Sequence, residues 1–487
     1  MAIKFGTEGW RAVIADEFTV ENVRRVAQAA ADHLLASTAK PATPAAKPET
    51  PGHPTTMAVG FDTRFLSPQF ARAVCEVLAG NQIHSRLSDA AIPTCAVSRY
   101  VVAERLPLGI MITASHNPGL YNGIKIKEAF GGSSTPATVA SIESRLGQAP
   151  VKHRPYEEAA RAGVIRRVRM MPAFLKGISS FVDLPLIRRS ARRVIVDSMH
   201  GAGGRIIEAL LARGRCRVET LHAQPDPLFG GHAPEPIAVH LQELSRTVKR
   251  RRADLGIAND GDADRLGIIG PGGAWLNPGQ VMCVLLLHLV RQRGMSGAVV
   301  KTVSNTMMIN RLTERLGLRL IEAPVGFKHI AKLMLEDDIL IGGEESGGIG
   351  VKGYLPERDG ILNGLLVLEA MAARRQSLSA MLQAIERECG RWYYGRRDLR
   401  LTMPRVEALF ARLHRAPPER MAGLPVARVQ TLDGVKFIGR DESWLLFRRS
   451  GTEPIVRVYA ETPRKALLAP LLTFGARLAG DESLAHS

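Results

Sequence analysis

At 487 residues the chain is too long for one compact core, so three or four domains are expected. Its apolar fraction of 45% is ordinary for a globular protein, and no apolar run reaches membrane-spanning length; the best, Val281 to Val290, is short and contains His288. A net charge of +18 raises a nucleic-acid partner, but the basic clusters carry no interleaved aromatics and no zinc-finger spacing, so they read as solvated faces.

The chain opens irregularly through residues 3–16, Ile3-Lys-Phe-Gly-Thr-Glu-Gly-Trp-Arg11 and onward, with no apolar signal core. Five scattered cysteines without a Cys-x-x-Cys pair fit reduced thiols, so a cytoplasmic protein is expected. A helix is predicted from about Thr19, as N-cap, to Leu35. Residues 37–56 are rich in Ala, Pro, Lys and Thr, have little to bury, and read as a flexible surface loop. A strand at Met57-Ala-Val-Gly-Phe-Asp62 then leads to a helix capped by Ser67, with Pro68 at its first position.

The next apolar run, Leu108-Gly-Ile-Met-Ile-Thr113, ends abruptly in Ala-Ser-His-Asn-Pro118. A buried-type strand that stops in a polar turn places Ser115 where α/β sheets carry reacting groups. His116 is its neighbour, and adjacent side chains on an extended stretch face opposite ways, so a Ser–His nucleophile–base pair is not expected. A serine that holds a phosphoryl group needs a metal and cations instead. Arg11 and Lys125, the latter in Tyr121-Asn-Gly-Ile-Lys, are candidate cations; a lysine of lowered pKa would also serve as a base.

A second unit contains the strand Arg193-Val-Ile-Val-Asp197 and the strand Leu255-Gly-Ile-Ala258, which runs into Asp260-Gly-Asp-Ala-Asp-Arg265. Carboxylates on alternate residues of an extended segment face one way, which suits a hard divalent cation. The run is not an EF-hand, because Arg265 replaces the required glycine; that arginine would add positive charge beside a transferred group. A third unit has predicted strands at Ala298–Thr302, 318–322 and 339–342, followed by the acidic loop Gly342-Gly-Glu-Glu-Ser-Gly-Gly348. Glu344 and Ser346 there suit sugar hydroxyls, and Lys328 is a candidate phosphate contact. Strands alternating with helices imply parallel α/β sheets up to about residue 376. Beyond it, a helix at 378–388 and short strands at 444–448 and 455–461 suggest an α+β domain. Its turn Arg449-Ser-Gly-Thr-Glu-Pro454 offers a guanidinium, two hydroxyls and backbone N–H groups as an anion cradle, with Arg457 near by. The expected units are 1–155, 156–265, 266–376 and 377–487.

Together these segments resemble the α-D-phosphohexomutase family, the phosphoglucomutase/phosphomannomutase enzymes. Thr113 to Pro118 looks like its phosphoserine loop, Asp260 to Arg265 its magnesium loop, Gly343 to Gly348 its sugar loop, and Arg449 to Pro454 its phosphate loop. Lys4 to Arg11 matches its opening. The resemblance implies four domains around a central cleft, three related α/β domains and a C-terminal α+β domain. It implies an isomerase in which phosphoserine 115 gives its phosphoryl group to a hexose 1-phosphate and recovers one from a 1,6-bisphosphate. The catalytic set would be Ser115, Arg11, His116 and Lys125. Mg²⁺ would be held by Asp260, Asp262, Asp264 and the phosphoserine, with glucose 1,6-bisphosphate as intermediate and activator. Substrate would meet Arg265, Lys328, Glu344, Ser346, Arg449, Ser450, Gly451, Thr452 and Arg457. The implied partners are small sugar phosphates, with no membrane and no nucleic acid, and the protein is expected as a monomer or homodimer. The sugar loop and opening look closer to phosphoglucomutases, although a phosphomannomutase or dual enzyme accepting mannose phosphates would look much the same, while phosphoglucosamine mutases usually carry a different sugar loop. Tyr354 stands where many relatives carry a histidine, and residues 37–56 look like an insertion.

Overall fold

A computed structural model describes residues 3–6, 8–39, 54–449 and 455–480. Most of the segment at 37–56, and Ser450, Gly451 and Thr452 of the anticipated phosphate loop, lie outside the described residues. The rest forms four sheets, the first three flanked by helices.

The first sheet has the spatial order Trp10–Val13, Tyr121–Glu128, Leu108–Ile112, Thr56–Phe61, His84–Ser88, Ile165–Val168. The opening is therefore less irregular than its sequence suggests: Trp10–Val13 pairs antiparallel with Tyr121–Ile124, placing Arg11 opposite Gly123. Gly9 makes this approach possible, since its φ is +95° and a Cβ there would lie 2.0 Å from the Ile124 carbonyl oxygen. The first long helix, Val20–Ala39, starts as expected, with the Asn22 N–H donating to Thr19 Oγ1. Ser67 is not an N-cap. Left-handed Leu66 precedes the helix Ser67–Gly80, and the Ser67 hydroxyl donates instead to the nearer Asp62 carboxylate at 2.8 Å.

Strand pairing extends past two of the expected unit borders, and helix packing past the third. Ile165–Val168 pairs with His84–Ser88, so the first sheet extends past residue 155. In the second sheet Leu266–Ile269 returns antiparallel along Leu255–Asn259 and carries Trp275–Leu276 on its far side. The aspartate loop is thus a turn inside this sheet, and a border at 265/266 would cut it. The helix Leu378–Cys389 packs against Pro278–Arg291 and Met307–Arg315, because Leu378, Met381, Ile385 and Cys389 complete their apolar faces; it closes the third unit. The fourth sheet is wholly antiparallel and six-stranded.

One apolar core runs through the first three units, joining Cys95 and Met111 to Leu255, Ile257, Leu285 and Leu366. The fourth unit has its own core around Phe410, Phe437, Phe447 and Leu471. Among the described residues no helix is long and apolar enough to cross a membrane.

Glu369 in helix Gly360–Arg374 ties the units together at a charged point within this core. It accepts from Arg293 at 2.8 and 2.6 Å and from the Asp183 N–H at 2.9 Å, and it lies 2.9 Å from His288 Nε2. Burial alone would raise its pKa, but these partners hold it down to about 2. A depressed carboxylate pKa contributes stability above the unfolded value near 4.5 and loses it as pH falls toward 2. Glu369→Gln should therefore lower stability by about 2–3 kcal/mol near pH 7, with the gap from wild type closing by about pH 2. Urea midpoints across that range check it, and a pH-independent gap would refute it.

Candidate active site

The serine and aspartate loops meet at the carboxyl ends of the first two sheets, and Glu344 of the sugar loop reaches them through Arg358. Leu108–Ile112 is fully buried, and its direction delivers Thr113, whose Oγ1 accepts the Ser115 N–H at 2.9 Å. Ser115 is buried and left-handed, with φ of +54°. That conformation breaks the alternation of an extended chain, so His116 does not point away: its Nδ1 lies 3.5 Å from Ser115 Oγ. Burial and the charges of Arg265 and Arg11 push the His116 pKa well down, leaving a neutral imidazole at pH 7. Ser115 Oγ donates to Asp260 Oδ2 at 2.8 Å. The two loops touch backbone to backbone at Gly261, where a Cβ would sit 2.6 Å from the Ser115 carbonyl oxygen.

Asp260, Asp262 and Asp264 are fully buried, with ligand oxygens within 4.8 Å of one another. Asp260 Oδ1 accepts the Arg265 N–H, and Asp262 Oδ2 accepts from Thr94 Oγ1. Lys125 Nζ donates to Asp262 and Asp264 at 2.7 Å each and lies 3.7 Å from Glu8. Asp262 Oδ1 and Asp264 Oδ1 have no hydrogen-bond partner among the described residues. Two orphaned buried carboxylate oxygens beside a third carboxylate fit a hard divalent cation with oxygen ligands.

Burial, with the charges of Asp264 and Asp262, pushes Asp260 well above its ordinary pKa. Burial acts the same way on Asp264, but Arg358, Lys125 and Arg265 hold it well below. Lys125 is not the base of lowered pKa that its sequence allowed. Burial would lower it, yet Asp262, Asp264 and Glu8 raise it above its ordinary value, so it balances charge as an ammonium.

Four further residues emerge that sequence reasoning passed over. Arg358, which is 2% exposed, donates from Nη2 to Asp264 at 2.6 Å and to Glu8, and from Nη1 to Glu344 at 3.1 Å. Glu8 is thereby drawn in from the opening. The Tyr354-to-Gly360 segment had signalled only Tyr354, whose half-buried hydroxyl donates to Asp359 at 3.2 Å. Arg64 lies beneath the serine loop.

Arg448 is the fourth. Arg449 is exposed with its guanidinium 4.5 Å over the Phe410 ring, so the structure does not bring it to the other loops. Side chains alternate along Trp444–Arg449, and Arg448 takes the other face. It donates to Asp433 at 2.7 Å, Asp433 accepts the Val325 N–H at 2.8 Å, and Arg448 is paired across the sheet with half-buried Arg457. Val325 leads to Lys328, half-buried in the first turn of helix Phe327–Glu336.

Among the remaining candidates, Arg11 Nη1 donates to Asn117 of the serine loop at 2.8 Å. Arg265 is 8% exposed, its Nε 4.0 Å from Asp260. Glu344 accepts from the Gly326 N–H and from Arg358, and burial raises its pKa. Ser346 is half-buried on the same loop.

Models of the phosphoglucomutase/phosphomannomutase family match in chain order: its alpha/beta/alpha domains I, II and III at residues 2–150, 172–273 and 277–388, and its C-terminal domain at 406–473. A phosphoglucomutase/phosphomannomutase of Thermococcus kodakarensis is 28% identical over 97% of this chain and 98% of its own. A phosphoglucosamine mutase of Streptomyces griseus is 30% identical over 94% of each chain. The solved structure of a Thermus thermophilus protein, described provisionally as a phosphomannomutase, superposes with a TM-score of 0.83 at 34% identity, covering 99% of both chains. The fold and the site define a four-domain sugar-phosphate mutase. The chain belongs to the phosphoglucomutase/phosphomannomutase family and is an enzyme of its isomerase, phosphotransferase class.

Asp262→Asn removes an orphaned ligand oxygen, and should weaken Mg²⁺ or Mn²⁺ binding by on the order of 10-fold or more. Calorimetric titration measures it, and an unchanged affinity would refute the ligand set.

Proposed function

We propose that the enzyme is a Mg²⁺-dependent phosphoglucomutase, interconverting α-D-glucose 1-phosphate and glucose 6-phosphate through phosphoserine 115 and glucose 1,6-bisphosphate. The observation that carries this reading is Ser115 Oγ bonded to Asp260, beside the two unpartnered oxygens of Asp262 and Asp264. Asp260, Asp262 and Asp264 would hold the cation, which supplies charge neutralisation at the phosphoryl group.

The chain's own residues do the rest. In the forward half-reaction the bond between phosphorus and Ser115 Oγ breaks, and phosphorus bonds to the sugar's free 6-hydroxyl oxygen. The proton leaving the sugar hydroxyl is taken up by neutral His116, whose Nδ1 lies 3.5 Å from Ser115 Oγ, and is passed on to the serine oxygen that phosphorus leaves, which regenerates the hydroxyl. Arg11 and Arg265 stabilise the charge of the group in flight. After the bisphosphate turns over, its other phosphoryl group returns to Ser115. Arg448, Arg457 and Lys328 would grip the phosphate that is not transferred, together with Ser450, Gly451 and Thr452. Glu344 and Ser346 accept sugar hydroxyls. A reducing cytoplasm, suited to five buried and unpaired cysteines, belongs to the same proposal.

The relative named a phosphoglucosamine mutase, at 30% identity, supports a second substrate reading, and the dual name of the Thermococcus relative a third. Initial rates with glucose, mannose and glucosamine 1-phosphates, each with Mg²⁺ and a trace of glucose 1,6-bisphosphate, separate them. A dominant glucose rate is expected; comparable glucose and mannose rates would make the enzyme dual, and a dominant glucosamine rate would overturn the assignment. Ser115→Ala should abolish turnover on every sugar while leaving the circular dichroism spectrum unchanged.

A further inference from the structure

The floor of the serine loop is a single arginine. Arg64 follows the strand Thr56–Phe61 and is 2% exposed. Its Nη1 donates to the carbonyl oxygens of Pro118 and Tyr121 at 2.9 Å each, and its Nη2 to those of Ser115 and Asn117 at 2.6 Å each. All four terminal N–H groups are thus spent on one turn of the chain, in the planar fork that only arginine offers. The fork is itself fixed. Asp62 Oδ1 accepts the Arg64 N–H at 3.0 Å, Asp62 Oδ2 lies 3.2 Å from Nε, and the Phe229 ring of the second unit sits 4.7 Å from Cζ.

Ser115 needs such a floor. Left-handed backbone is unfavourable for a serine by on the order of 1 kcal/mol or more and persists only where its surroundings dictate it. From above, Thr113 Oγ1 takes the Ser115 N–H and Asp260 takes its hydroxyl. Once that hydroxyl carries a phosphoryl group it has no proton to donate to Asp260. The Ser115 carbonyl contact with Arg64 is independent of that change.

We propose that Arg64 is a positioning residue for phosphoryl transfer: by gathering four carbonyls of the loop it holds Ser115 Oγ in line with the acceptor oxygen, in the free and the phosphorylated enzyme alike. The inference rests on Ser115 being the phosphoryl carrier. Arg64 touches neither substrate nor the transferred group, so its effect falls on the rate of transfer and not on sugar-phosphate binding, which uses other loops.

Arg64→Lys keeps the charge and loses the fork. It should lower kcat by ~10- to 100-fold, as misplacement of a reacting atom by about an ångström does, while KM for the sugar phosphate stays within about three-fold. The slower step should also appear directly, as slower gain of phosphoserine on incubation with glucose 1,6-bisphosphate, followed by intact mass. Phe229→Leu, which removes only the ring over the guanidinium, should lower kcat in the same sense by about three-fold or more at unchanged KM. It serves as the test should Arg64→Lys fail to fold. Wild-type kcat in a folded Arg64→Lys, or in Phe229→Leu if that alone folds, would overturn the proposal, as would a fall confined to kcat/KM through KM. If Ser115→Ala itself turned over normally, the phosphoserine reading would fail; if Ser115→Ala were inactive and these variants fully active, only the role of Arg64 would.

Discussion

Five carboxylates in one buried cluster set the terms for the whole structure. Glu8, Asp260, Asp262, Asp264 and Glu344 are all at most 8% exposed, and the aspartate oxygens lie within 4.8 Å of one another. Two unit charges at that distance repel by about 3–4 kcal/mol at an effective dielectric constant near 20. Cations must therefore come from every side. Lys125 arrives from the first sheet and Arg358 from the third unit, while Arg265 comes from the aspartate loop itself. Because Arg358 reaches Glu8, Asp264 and Glu344 at once, charge balance joins the chain's opening, its aspartate loop and its sugar loop.

Local pattern made half of this legible. A buried strand stopping at Ser115, and three alternate aspartates after another strand, announce themselves in a few consecutive residues. What stayed hidden depends on partners far away in the chain. Arg64 lies 51 residues from Ser115, and Arg358 lies 350 from Glu8. Lys125 was visible as a cation, but its protonation depends on carboxylates 137 and 139 residues distant. The choice between Arg448 and Arg449 needed the parity of a strand, which their adjacent positions conceal. The border at 265/266 slipped for a related reason: a strand returning antiparallel from the aspartate loop looks in sequence like the start of something new.

The fourth unit joins the others differently. The first three share one apolar core, whereas the fourth meets the third through a separate, mixed interface. Val303 packs into a cluster with Ile438, Trp444, Leu446 and Tyr459, and around it Lys436 donates to the Val303 carbonyl, Glu461 accepts the Met307 N–H, Gln430 donates to Glu322 and Asp433 accepts the Val325 N–H. Burial and nearby Lys301 push Lys436 down to about 7. Arg448 and Arg457 lie on the far side of this mixed interface from Lys328, so how firmly the two units are held together sets the spacing of those cations.

The edge strand Trp10–Val13 has a consequence for biosynthesis. Glu8 and Arg11 leave the ribosome long before the groups they bond to, since Asn117 follows Arg11 by 106 positions and Arg358 follows Glu8 by 350. Trp10–Val13 and Arg11 can pair once the first sheet has emerged, but Glu8 must wait for Arg358 of the third unit, so the carboxylate cluster is among the last features to form although its first member is translated ahead of the whole first sheet. A tag or fusion placed just ahead of Glu8 would therefore sit against the finished pocket.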